Sequence, residues 1–274
     1  MCGVIACCYV GSLYIWKNDK SEASTHPNVM KKRFVSVTGA SVVAPLIAYP
    51  FIQRELLENH SILEIFGVRT EGLFLAIIVP LLLTSILFLG PLAVEYSTGV
   101  LKVYAEPSFW LATLKQLIGI RNYIVAPITE ELVFRACIIS LIGSCLSTSG
   151  IVIVCPLFFG AAHLHHAIEQ IRLGVPVRRA ILISAFQFIY TSIFGAYSAY
   201  LFLRTGHLIA PVLVHSFCNH MGFPDFASVV HFQQPKKAVI IGAYVVGLIT
   251  WFYCLQPLTT PSLYSNSLPW VESS

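Results

Sequence analysis

Charge is what this chain has least of. Only 11% of its 274 residues are Asp, Glu, Lys or Arg, against about 25% in a typical soluble domain. With 56% hydrophobic residues beside that shortage, an ordinary soluble domain is excluded, and no nucleic-acid partner is expected. The eight cysteines form no C-x-x-C pair, which argues against a disulfide framework or a thiolate zinc site. H-E-x-x-H is also missing, so the common zinc protease pattern is absent. There is no internal repeat, low-complexity segment or soluble appendage. The first apolar stretch, Cys2–Trp16, has neither a basic leader nor a clear A-x-A cleavage site. It reads as an uncleaved anchor helix rather than a signal peptide.

What the chain does have is a series of near-uncharged runs. They are Phe34–Ile52, Leu73–Val94, Ile124–Leu146, Gly150–Ile168, Ala180–Leu203, Leu208–Phe223 and Ala238–Leu255. Most reach the roughly 17–25 residues that a spanning helix needs. Together with the first stretch they predict an all-α polytopic membrane protein. The expectation is a single membrane-embedded domain over 1–274, a bundle of about eight transmembrane helices with an intramembrane cavity.

The loops predict an orientation. Thirteen basic residues fall in the odd-numbered loops: Lys17, Lys20, Lys31, Lys32 and Arg33, then Lys102, Lys115 and Arg121, then Arg172, Arg178 and Arg179, then Lys236 and Lys237. The even loops hold only Arg54, Arg69 and Arg204. By the positive-inside rule the odd loops face the cytosol and both termini lie on the far side. The sequon Asn59-His60-Ser61 falls in the second loop, on the side opposite the cytosol, where a chance match is as good a reading as a glycosylation site.

Against this background the ionisable residues inside the runs stand out, because a charge at the centre of a bilayer costs at least about 2.5–3.5 kcal/mol. One run carries Glu130, Glu131 and Arg135; the next carries His163, His165 and His166; a later one carries His215, Asn219 and His220. With the predicted topology, all three clusters lie at similar depth below the cytosolic face. Glu131 and Arg135 are four apart, acid first, which suits an ion pair on one helical stripe. Glu130 sits about 100° around the helix and is free for another neighbour. Pro127 suits a first helical turn, where the helix dipole favours two glutamates.

His215 and Asn219 also share a helical face. Their N–H groups can cradle an oxyanion, or they can serve as interhelical hydrogen-bonding glue. His165 and His166 read as interfacial, and His207 and His220 as structural. Taken together, an unpaired carboxylate, two histidines and an amide suggest peptide hydrolysis by water, with the glutamate as base. Zinc held by Glu130, His163 and His215 with one open position is the alternative reading. A transporter or proton relay, and a non-enzymatic bundle stapled by its charges, are the rivals, since intramembrane Glu and His also mark ion paths.

Three motifs in order, E-E-x-x-x-R at Glu130, Glu131 and Arg135, F-x-x-x-H from Phe159 to His163, and H-x-x-x-N from His215 to Asn219, resemble those of the type II CAAX prenyl endopeptidases. The stretches YVGSLYIWK, LTSILFLGPL, APITEELVFRAC, CPLFFGAAHLHHAIEQ and FLRTGHLIAPVLVHSFCNHMGFP extend the likeness over nearly the whole chain. The resemblance implies an endoplasmic-reticulum enzyme, with its site facing the cytosol, that removes the last three residues from prenylated CAAX proteins such as small GTPases. It also implies roles: Glu130 and His163 activate water, His215 and Asn219 form the oxyanion hole, and Glu131 and Arg135 support them. That family is usually described as metal-independent, so no cofactor is expected. Membrane lipid is the expected surrounding. Phe186, Phe188, Tyr190, Phe194 and Tyr197 read either as a prenyl groove or as plain bundle packing.

Overall fold

The computed structural model describes residues 1–16 and 26–271. Lys17 and Lys20, both used to orient the chain, lie outside them. The regular structure among the described residues is entirely helical, and the chain is an all-α polytopic membrane protein. Four helical stretches are long and apolar enough to cross a membrane: Pro27–Phe51, Thr148–Arg172, Val177–Thr205 and Lys236–Leu258. A fifth crossing results if Leu73–Leu87 and Leu89–Thr98, bent by 72°, count as one. The bend falls at Phe88. Pro91 explains it, since its ring clashes with the carbonyl four residues back and it has no N–H to donate there.

The remaining apolar runs fold into helices that are either irregular or shorter than the roughly 20 residues of a regular spanning helix. Cys2–Ser12 has 11 residues and Ile209–Met221 has 13. The run from Ile124 becomes part of a continuous helical stretch over 117–142, interrupted twice by wider π turns.

The elements that build the site are labelled in chain order. They are α1 (Cys2–Ser12), α2 (Pro27–Ala48), α3 (Leu73–Leu87), α4 (Leu89–Thr98), α5 (117–142), α6 (Thr148–Ala162), α7 (His165–Arg172), α8 (Val177–Thr205), α9 (Ile209–Met221) and α10 (Lys236–Leu258). α6 and α8 pack most closely; α10 lies on α3 and α4, α9 on α3, and α1 on α2. Glycine makes the α6–α8 contact possible. A Cβ on Gly160 would run into the Ser192 hydroxyl and stand 3.1 Å from the Phe188 carbonyl oxygen, and one on Gly195 would stand 3.0 Å from Pro156 Cβ. Without a hydrophobic force between helices in lipid, such close approach is what holds them together.

At the end of α8 the Asn266 amide donates to the Leu203 and Arg204 carbonyls, at 2.8 and 3.2 Å. It thereby satisfies acceptors that a helix C-terminus leaves open.

The bundle is apolar outside and charged inside. Ile193, Val239, Phe252 and Tyr253 are exposed, as lipid contact requires, while Glu131 and Arg135 are completely buried.

Candidate active site

The site begins with a proline in the middle of a helix. Pro127 was expected in a first turn; it lies instead ten residues into α5, so the helix dipole does not account for the two glutamates. A proline there removes a backbone donor and crowds the carbonyl four residues earlier, which is that of Tyr123. α5 responds by widening into a π turn over Arg121–Val125. α9 takes up the carbonyls this frees: Ser216 Oγ donates to the Tyr123 carbonyl at 2.7 Å, and Asn219 Nδ2 to the Asn122 carbonyl at 3.0 Å. Re-satisfaction of this kind is how membrane helices tolerate proline. It also fixes α9 against α5, and so sets His215 beside the two glutamates.

Glu131 is the hub of a fully buried network. Its Oε2 lies 3.0 Å from Arg135 Nε and accepts the Ser198 hydroxyl. Its Oε1 accepts from His215 Nδ1 at 2.7 Å. The expected Glu131–Arg135 pair is therefore present, but Glu131 also orients a histidine. Arg135 makes no well-aligned hydrogen bond. It is held by charge and by rings, with its guanidinium carbon 4.3 Å from the centre of Phe159 and 5.8 Å from that of Phe194. Phe159, the first residue of the F-x-x-x-H motif, also touches the His163 ring, with centroids 4.7 Å apart. One aromatic side chain thus joins the second motif to the first.

Glu130 faces the other way, as its position on the helix predicts. Its Oε2 is 3.8 Å from His215 Nε2, too far for a hydrogen bond and wide enough to leave both atoms available. Glu130 and His163 line one cavity of about 290 Å³. His163 caps α6, and its Nδ1 lies 2.8 Å from the Phe159 carbonyl oxygen. Because a carbonyl only accepts, Nδ1 carries the proton and Nε2 keeps its lone pair. A carboxylate and an imidazole lone pair on one cavity wall are two acceptors for the two hydrogens of a single water. His215 is fixed in the same manner: Glu131 holds its Nδ1–H, and Nε2 donates once the ring carries both protons.

The structure therefore brings Glu130, Glu131, Arg135, His163 and His215 together. Asn219 stands one turn further along α9, exposed, and one N–H of its amide is committed to Asn122. His220 Nδ1 lies 3.1 Å from the Tyr123 hydroxyl. His165 and His166 line the cavity rim. Beside them Glu169 ties α7 to α2 and to the turn after α1: it lies 2.8 Å from Arg33 Nη2, 3.2 Å from the Tyr14 hydroxyl and 3.4 Å from His166 Nδ1 of its own helix.

Of the two readings of the α8 aromatics, groove or packing, this cavity gives no support to the first: none of the five lines it. Phe194 packs on His215, with ring centroids 4.9 Å apart. The Tyr197 hydroxyl is 3.0 Å from that of Thr84, and Phe186 and Tyr190 meet Phe223. The cavity's apolar wall includes Val10 of α1, Leu13 just after it, and Phe34 and Val37 of α2.

Those wall residues gave no sign in the sequence, being apolar residues in apolar runs. Tyr9 was missed as well. It is buried in the same wall, and its hydroxyl lies 2.8 Å from Thr129 Oγ1, next to Glu130. Ser198 escaped notice too; a lone hydroxyl in an apolar run is its only signal.

Zinc ligands at 2.0–2.1 Å from one ion stand roughly 3.5 Å from each other. Among the described residues, the group of three whose ligand atoms all lie within 4.8 Å of one another is His165, His166 and Glu169, not Glu130, His163 and His215. Glu169 already has an arginine on it. The Glu130, His163 and His215 set is thus too spread for one zinc ion without movement.

A family model described as type II CAAX prenyl endopeptidase Rce1-like matches residues 109–221, a range that holds every candidate catalytic residue. The chain is similar to proteins named CAAX prenyl protease 2. The one from Homo sapiens is 46% identical, over 98% of this chain and 82% of the relative. That from Rattus norvegicus is 42% identical over 98% and 81%, and that from Arabidopsis thaliana 34% over 89% and 83%. No solved structure matches the chain.

Proposed function

The chain belongs to the type II CAAX prenyl endopeptidases and is a peptidase of that class, and on that premise we propose that it removes the C-terminal tripeptide from prenylated CAAX proteins by attack of an activated water. The observation that carries this reading is the shared cavity of Glu130 and His163, with His163 Nδ1 tied to the Phe159 carbonyl. Water held between the carboxylate and His163 Nε2 gives up a proton to Glu130 as its oxygen bonds to the carbonyl carbon of the prenylated cysteine. The developing oxyanion is met by His215 Nε2–H and by the second amide N–H of Asn219. Glu130 then delivers its proton to the leaving nitrogen as the C–N bond breaks. No metal takes part.

Glu131 and Arg135 act through position: Glu131 holds the His215 ring at the angle the oxyanion needs, and Arg135 balances its charge. The apolar wall from α1 and α2 offers a surface to a lipidated cysteine, whose prenyl chain keeps it at the membrane. The proposed side of the cavity mouth is the cytosol, supported by the basic residues Arg33 and Arg121 that line it, and the endoplasmic reticulum is the proposed membrane. The test is incubation of membranes holding the chain with a prenylated CAAX peptide, read by mass spectrometry. Release of the intact tripeptide supports the reading, and cleavage at any other bond opposes it.

A further inference from the structure

We infer that Arg121 binds the free α-carboxylate of the peptide and so sets which bond is cut; this rests on the proposed tripeptide release. Arg121 lines the same cavity as Glu130 and His163 and begins the π turn that Pro127 imposes on α5. Its Nε donates to Asn122 Oδ1 at 2.9 Å, which fixes the plane of the guanidinium. Its two terminal nitrogens have no protein partner among the described residues. The other arginine of the cavity, Arg33, is already matched by Glu169 at 2.8 Å. Arg121 thus feels the charge of Glu130 in the same cavity but forms no direct ion pair, and it presents the planar pair of donors that suits a carboxylate.

The spacing agrees. Arg121 and Glu130 are nine positions apart in α5, about 13 Å along a regular helix axis. Three extended residues span roughly 10 Å, and a long arginine side chain covers the difference. A tail of three residues ending in a carboxylate on Arg121 thus lays its first peptide bond beside Glu130 and His163. Asn122 links the two ends of the site: its side chain holds Arg121 and its carbonyl holds Asn219.

An anion on Arg121 has two sources, the substrate terminus or a lipid phosphate, and the experiment separates them. Prenylated peptides ending in a free carboxylate or in a carboxamide are assayed with wild type, Arg121→Ala and Arg121→Lys. A charge-assisted hydrogen bond corresponds to about a tenfold effect or more. Amidation is expected to raise the wild-type KM at least tenfold with a smaller change in kcat. Arg121→Ala should show that loss already on the carboxylate peptide and be indifferent to amidation, with Arg121→Lys between the two. Equal sensitivity to amidation in wild type and Arg121→Ala overturns the inference and points to a lipid phosphate. Wild type indifferent to amidation overturns it without any variant that might misfold. Failure of wild type to cut either peptide overturns the proposed reaction and this inference with it.

Discussion

His215 Nδ1 lies 2.7 Å from Glu131 Oε1, so the acid next to the candidate base is the anchor of the candidate oxyanion donor. Two adjacent carboxylates therefore do different work. Glu131 is fully buried and shared among Arg135, Ser198 and His215. Removing it strands the Arg135 charge and frees the His215 ring. Breaking one side of a buried ion pair costs about 3–5 kcal/mol. Glu131→Ala is expected to lower the thermal midpoint in detergent by many degrees and to abolish peptide cleavage, while Glu130→Ala leaves the midpoint nearly unchanged. Equal midpoints for the two variants would contradict this division.

Gly160 lets α6 approach α8, and α6 carries Phe159 and His163 at that contact. A methyl there meets the Ser192 hydroxyl and the Phe188 backbone. Overpacking of this kind costs about 1–3 kcal/mol. Gly160→Ala should lower both the thermal midpoint and cleavage, and Gly160→Ala with Ser192→Ala should recover part of each. A single variant with wild-type activity would show that the helices separate without disturbing His163.

The zinc alternative makes a different forecast. Glu130, His163 and His215 are too spread for a single zinc ion at 2.0–2.1 Å from each. Exhaustive chelation is expected to leave the rate of tripeptide release unchanged. A rate lost on chelation and restored by zinc would reinstate the metal.

How much of this was legible in the sequence differs by residue. The Glu131–Arg135 pair follows from helical spacing alone, and so does the outward turn of Glu130. The meeting of the three motifs was expected from a topology of about eight crossings; the motifs do meet, but among the described residues four or five helices are long and apolar enough to cross. The bond from His215 to Glu131 was not legible, since it depends on how α9 seats against α5. That seating depends on carbonyls freed by Pro127 and captured by Ser216 and Asn219, which no local pattern encodes. The short and irregular helices were hidden for the same reason: hydropathy reports that a run is buried or in lipid, not that its turns are regular. The α8 aromatics left two readings open because a stretch rich in rings looks alike whether it lines a groove or packs a bundle. Membership of a peptidase family displaces the transporter and scaffold readings, which the ionisable residues alone left open.

The central claim is that Glu130 is the base. The most direct measurement is the rate of tripeptide release from a prenylated CAAX peptide by Glu130→Gln, beside wild type, in membranes with matched protein levels and thermal midpoints. The substitution keeps the size of the side chain and removes its capacity to take a proton, and a positioned base contributes about 10²–10⁴-fold. The account predicts a loss of at least about a hundredfold, with the midpoint preserved. Release by Glu130→Gln within a few-fold of wild type would contradict it.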